Sequence, residues 1–92
     1  MKKIIMFYGK ECPHCHVMLP LADKLSKEEN VEIEKFEVWH DEKNAEKMRK
    51  FETEIRNASG GEFGVPAFID KENHKILCGE TSYAELKKWL KK

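Results

Sequence analysis

The chain has no excess of charge of either sign: 17 Lys and Arg are matched by 17 Asp and Glu over 92 residues. A balanced surface carries no electrostatic footprint for nucleic acid or an anionic membrane, and the sequence predicts neither partner. A bilayer-spanning apolar run is also missing. The run Ile4-Ile5-Met6-Phe7-Tyr8 follows Lys2-Lys3 but is too short for the core of a signal peptide and is ended by Lys10-Glu11, so the expected location is the cytoplasm. Cysteine is scarce, with three in all, which excludes a structural disulfide framework. Repeats and low-complexity tracts are absent. The length predicts one domain over residues 1–92.

Two of the three cysteines stand together in Cys12-Pro13-His14-Cys15, and Cys78 stands alone. Cysteines two residues apart can close a small disulfide ring, and in a reducing compartment such a pair points to redox chemistry or metal binding. The run Lys3–Tyr8 is apolar, β-branched and aromatic and is bounded by Gly9, which predicts a buried strand; helical spacing follows at once. Cys12 is thereby placed at a helix N-terminus, where unpaired N–H groups and the positive end of the macrodipole favour a thiolate over a thiol. Pro13 suits the first turn because its missing N–H would have no partner there, and His14 can bring a donor or positive charge close to the sulfur. Cys15, one turn further in, is expected to be the more buried thiol. The roles follow: Cys12 attacks a partner disulfide and Cys15 resolves the mixed disulfide.

Cys15, Met18, Leu19, Ala22 and Leu25 give the first helix one apolar face, and Pro20 is expected to kink it. Val31–Val38 alternates apolar and charged residues as a strand does. Asp41 is the expected N-cap of a single second helix with Ala45, Met48, Phe51, Glu52 and Ile55 marking its inward side, closed by Asn57–Gly61, with Glu46–Lys50 and Glu52–Arg56 as outer ion pairs. Gly64–Asp70 and Lys75–Cys78 read as a hairpin about the turn Lys71–His74. Ser82–Glu85 is a capping box for a last helix lined by Tyr83, Leu86, Trp89 and Leu90. The order β-α-β-α-β-β-α predicts an α/β fold, a four-stranded mixed sheet with its first two strands parallel and helices on both faces.

With these elements in place, the chain resembles the thioredoxin/glutaredoxin superfamily over essentially its whole length. Phe7-Tyr-Gly-Lys-Glu-Cys-Pro-His-Cys-His-Val-Met-Leu-Pro20 is similar to the active-site segment, including a proline five residues after the second cysteine, which accounts for Pro20. Gly61-Glu-Phe-Gly-Val-Pro66 resembles the loop that carries the family's cis-proline. The resemblance implies the thioredoxin fold and a thiol-disulfide oxidoreductase. It also implies a cis Val65–Pro66 bond beside Cys12, with the Val65 backbone pairing with an extended substrate. Tyr8 and Phe63 have two readings: an apolar docking surface flanking the site, or equally core. The CPHC ring is similar to that of DsbA-type oxidants and the compact length is glutaredoxin-like. The implied partners are protein thiols and disulfides or glutathione, with a reductase as electron donor, no resident cofactor, and a monomer. Three positions depart from the pattern. Met6 stands where thioredoxins carry a buried acid, which leaves Glu37 or water to move the Cys15 proton. Glu11 replaces the tryptophan before the first cysteine. Cys78-Gly79-Glu80-Thr81 replaces the Gly-Gly and acidic pair with which glutaredoxins hold glutathione.

Other chemistries fit the same residues. Cys12-Pro-His-Cys-His16 is a literal haem-attachment pattern, opposed by the buried strand before it and the β-rich remainder. The pair could instead be half of a zinc or iron-sulfur site completed by His14, His16, Cys78 or a second subunit, making the chain a metal-binding or carrier module. His16, His40 and His74 are read as solvated, and Cys78 as a small buried strand residue.

Overall fold

The structure, a computed structural model, describes residues 2–91. Its centre is the first apolar run. Lys3–Tyr8 forms β1, followed by α1 (Pro13–Glu29), β2 (Glu32–Glu37), α2 (Glu42–Arg49), α3 (Glu52–Ser59), β3 (Ala67–Asp70), β4 (Lys75–Cys78) and α4 (Tyr83–Lys91). The strands lie in the order β2-β1-β3-β4. β1 is parallel to β2, with Phe7 opposite Phe36, and antiparallel to β3, with Met6 opposite Phe68; β3 and β4 form the antiparallel hairpin.

Alternation along β1 divides the core between the two faces of the sheet. Ile4 and Met6 point to one face, where they pack with Phe68, with Met18, Ala22 and Leu25 of α1, and with Leu86, Trp89 and Leu90 of α4. Phe7 points to the other, where it meets Ala67, Ile69, Met48 of α2 and Ile55 of α3. The Phe7 ring lies 5.9 Å from Phe36 and 6.2 Å from Phe51, centroid to centroid. Among the described residues no helix is long and apolar enough to cross a membrane.

Three expected details turn out differently. The single helix expected after Asp41 is two: Asp41 does cap α2, accepting from the Asn44 N–H at 3.2 Å, but the chain breaks at Phe51 (φ −105°, ψ 13°), where a new helix starts. Ala45, Met48, Phe51 and Ile55 keep helical spacing across the break, so the pattern cannot reveal it; at the break the Phe51 ring sits 6.2 Å from the Phe7 ring. The ion pair of α2 forms from Arg49 to Glu42 at 2.6 Å and to Glu46 at 4.0 Å, not from Lys50, whereas Glu52–Arg56 forms as expected at 2.8 Å. β3 begins at Ala67, three residues later than expected, because Pro66 has no N–H to give a ladder; its carbonyl still accepts from Gly79 at 2.9 Å. Pro20 lies inside α1, which runs on through it to a length of 17 residues.

Candidate active site

Gly9 organises the turn between β1 and α1. Its carbonyl accepts the Cys12 N–H at 3.1 Å and its own N–H donates to the Cys15 sulfur at 3.4 Å. Cys12 is the N-cap of α1 in an extended conformation (φ −76°, ψ 118°), Pro13 opens the helix, and the Cys12 carbonyl receives the first helical hydrogen bond from His16 at 3.1 Å. Both cysteines are free thiols with unequal access: Cys12 is 5% exposed and Cys15 is wholly covered. Burial pushes the Cys15 thiol up to about 12. The Gly9 N–H pulls the other way and is outweighed, while a hydrogen bond with Cys12, the Cys12 charge and the Glu37 carboxylate add to the rise.

The loop before β3 folds back onto Cys12. The Val65–Pro66 peptide bond is cis, Pro66 is buried, and the Cys12 S–H donates to the Val65 carbonyl at 3.9 Å. Phe63 lines the clefts on both sides of Val65, with the Arg56 guanidinium over its ring at 5.5 Å. Tyr8, its expected counterpart, packs instead against the core between the sheet and α1 and α4. Of the expected site residues the structure brings Cys12, Cys15, Pro13, Val65, Pro66 and Phe63 together, leaves Tyr8 on the core side, and turns the His14 ring toward Glu80.

The charged groups here are spoken for. His14 turns to the β4–α4 connection, its Nδ1 2.9 Å from Glu80 Oε1, so the Glu80 that stands in the glutaredoxin-like position is occupied by the active-site helix itself. His16 Nε2 donates to the Lys10 carbonyl at 2.6 Å and ties α1 to the turn that precedes it. Glu37 accepts three backbone N–H groups, from Lys10 at 2.9 Å, Trp39 at 3.1 Å and His40 at 2.7 Å. Partial burial opposes its ionisation, but those donors prevail and hold it below the usual carboxylate range. Through these three bonds Glu37 fastens the active-site turn to the end of β2. His40 bonds to Glu11 at 2.7 Å, and that carboxylate raises it above the ordinary histidine range. Trp39, which sequence reasoning passed over, packs against Gly9: a Cβ on Gly9 would fall well inside van der Waals distance of three indole carbons. Cys78 is half-buried with its S–H toward the Ile55 carbonyl at 3.8 Å, and burial raises its thiol. Among the described residues no three His, Cys, Asp or Glu side chains converge to hold a metal ion.

No protein-family model and no curated protein matches the chain. Among solved structures, thioredoxin from Aeropyrum pernix superposes with a TM-score of 0.64 at 25% identity, spanning 98% of this chain and 73% of that one. The fold and the Cys12–Cys15 pair at the head of α1 point to a redox function. The mixed sheet, the helices on both its faces and this superposition together make the chain a member of the thioredoxin-fold superfamily.

Proposed function

We propose that the protein is a thiol-disulfide oxidoreductase that exchanges disulfides with protein thiols or with glutathione, working in the cytoplasm with a reductase as electron donor. The observation that carries this reading is the asymmetry of the pair: one thiol at the rim beside Val65, the other sealed behind it and held as a thiol by burial. The Cys12 thiolate attacks one sulfur of the substrate disulfide. A Cys12–substrate bond forms, the substrate S–S bond breaks, and the second substrate sulfur leaves as a thiolate. Cys15 then gives up its proton, which the departing thiolate can accept, and attacks Cys12. The substrate's first sulfur leaves as a thiolate, which takes from solvent the proton that Cys12 gave up on ionising, and the Cys12–Cys15 disulfide closes. Counted from the dithiol, the pair has lost two electrons and two protons and the substrate has gained them; the reverse sequence oxidises a dithiol.

The causes of the Cys15 rise give this order a physical basis. Two of them, the hydrogen bond with Cys12 and the Cys12 charge, exist only while Cys12 is free. Once Cys12 is tied in a mixed disulfide both vanish, and Cys15 becomes easier to ionise at the moment it is needed. With Cys12 covalently occupied, the Gly9 N–H remains to stabilise the Cys15 thiolate. The test is turnover: the protein should accelerate reduction of a protein disulfide by dithiothreitol, and Cys12→Ser should not. Equal rates for the two would refute the reading.

A further inference from the structure

Trp39 is 52% exposed, more than Val17, the other exposed large apolar residue among those described, which is 46% exposed and lies on a different element, α1. One face of the indole is laid against Gly9, the residue that bonds to both active-site cysteines; the rest is open. From the indole a cleft of about 180 Å³ runs between α2 and the loop before β3, walled by Val38, Met48 and Phe63 and ending at Val65, whose carbonyl faces the Cys12 thiol. Arg49 at its rim is already paired with Glu42 and Glu46, so the cleft does not select for charge.

Resting on the oxidoreductase reading, we infer that Trp39 and this cleft form a subsite for one apolar or aromatic side chain of an extended polypeptide substrate. The volume is below the range of small-molecule sites and suits a single side chain. A second copy of the chain is disfavoured because two exposed large apolar residues fall far short of the roughly 800 Å² per partner that a stable interface covers. A polypeptide laid along Val65 as an added strand sends alternate side chains to the same side. With its cysteine directed at Cys12, the residue two positions away faces the protein on the Trp39 side.

The probes are short peptides whose cysteine is joined in a disulfide to thionitrobenzoate, with Leu, Phe or Ser two positions to either side. Attack by Cys12 on the peptide sulfur forms the Cys12–peptide bond and expels coloured thionitrobenzoate, whose rate of release is read. In the native sequence the Leu and Phe peptides should react roughly tenfold faster than the Ser peptide, the return for burying one apolar side chain in part. The ratio, taken within each protein, should fall to near one in Trp39→Ala and be largely kept in Trp39→Phe. A ratio of one in the native sequence, or the same ratio in Trp39→Ala, overturns the subsite. A dimer in sedimentation that Trp39→Ala dissolves also overturns it, by giving the face to a second copy. If the native protein fails to react even with the symmetrical disulfide of thionitrobenzoate, which has no peptide to place, the oxidoreductase reading itself has failed.

Discussion

Gly9→Ala sets a methyl group against the Trp39 indole and leaves the backbone unstrained, since the φ of Gly9 is not positive. The indole must therefore swing away or the turn must shift. Trp39 is 52% exposed, so close to half of its surface is covered. A tryptophan covers roughly 200 Å² when buried whole, so half is roughly 100 Å², which at about 25 cal/mol per Å² amounts to about 2.5 kcal/mol. The indole keeps its other walls when it tilts, so Gly9→Ala should cost about 1–2 kcal/mol, within the usual range for overpacking. In a Trp39→Ala background the methyl group meets open space, and the same substitution should cost less than about 0.5 kcal/mol. Urea unfolding of the four proteins, followed by circular dichroism, closes the cycle: a coupling of at least about 1 kcal/mol is expected. An equal cost of Gly9→Ala in both backgrounds would show that the indole does not rest on Gly9.

In the reduced native protein iodoacetamide should modify Cys12 at pH 8 and spare Cys15, which is covered and pushed up to about 12; a Cys15 adduct formed as fast as in urea would contradict its burial. Asp70, wholly buried at the end of β3, pairs with Lys2 at 2.8 Å and accepts from Asn73. Burial opposes its charge, but these partners hold it below the ordinary aspartate range. Lys2→Met should cost about 1–3 kcal/mol, discounted from a fully buried pair because Lys2 is partly solvated. A depressed carboxylate contributes stability above its unfolded value of about 3.9 that is lost as pH falls through the folded value. The stability gap between native and Lys2→Met proteins should accordingly narrow below about pH 4, and a gap independent of pH would contradict the pairing. Glu11 raises His40, and a raised histidine contributes stability that is present below about pH 6.5 and lost as pH rises through the folded value. Glu11→Gln should bring the His40 titration, followed by NMR, down toward the ordinary range; an unmoved titration would remove Glu11 as its cause.

Much of this was legible because the chemistry is local. The Cys12-Pro-His-Cys15 spacing, the apolar run before it and the alternation of β2 each carry their meaning within a few residues. Val65 and Pro66 were found through resemblance, and the fold brings them to Cys12 from 53 residues away. The break between α2 and α3 was not legible, because apolar spacing continues across it. Nor was the partner of His14: Glu80 lies 66 residues away, and nothing in either segment marks them as neighbours. Trp39 was hidden for a different reason. An aromatic at the end of a strand reads as core, and its position over Gly9 depends on how Glu37 gathers the Lys10, Trp39 and His40 backbone.

The division of labour between Cys12 and Cys15 is tested most directly by trapping. Cys15→Ser and Cys12→Ser proteins are each reduced, mixed with a disulfide-bonded protein substrate and quenched with acid, and covalent adducts are read by intact mass. Cys15→Ser should accumulate a mixed disulfide through Cys12, because attack proceeds and resolution cannot, whereas Cys12→Ser should yield none. Equal adducts from both variants, or an adduct through Cys78, would contradict the account.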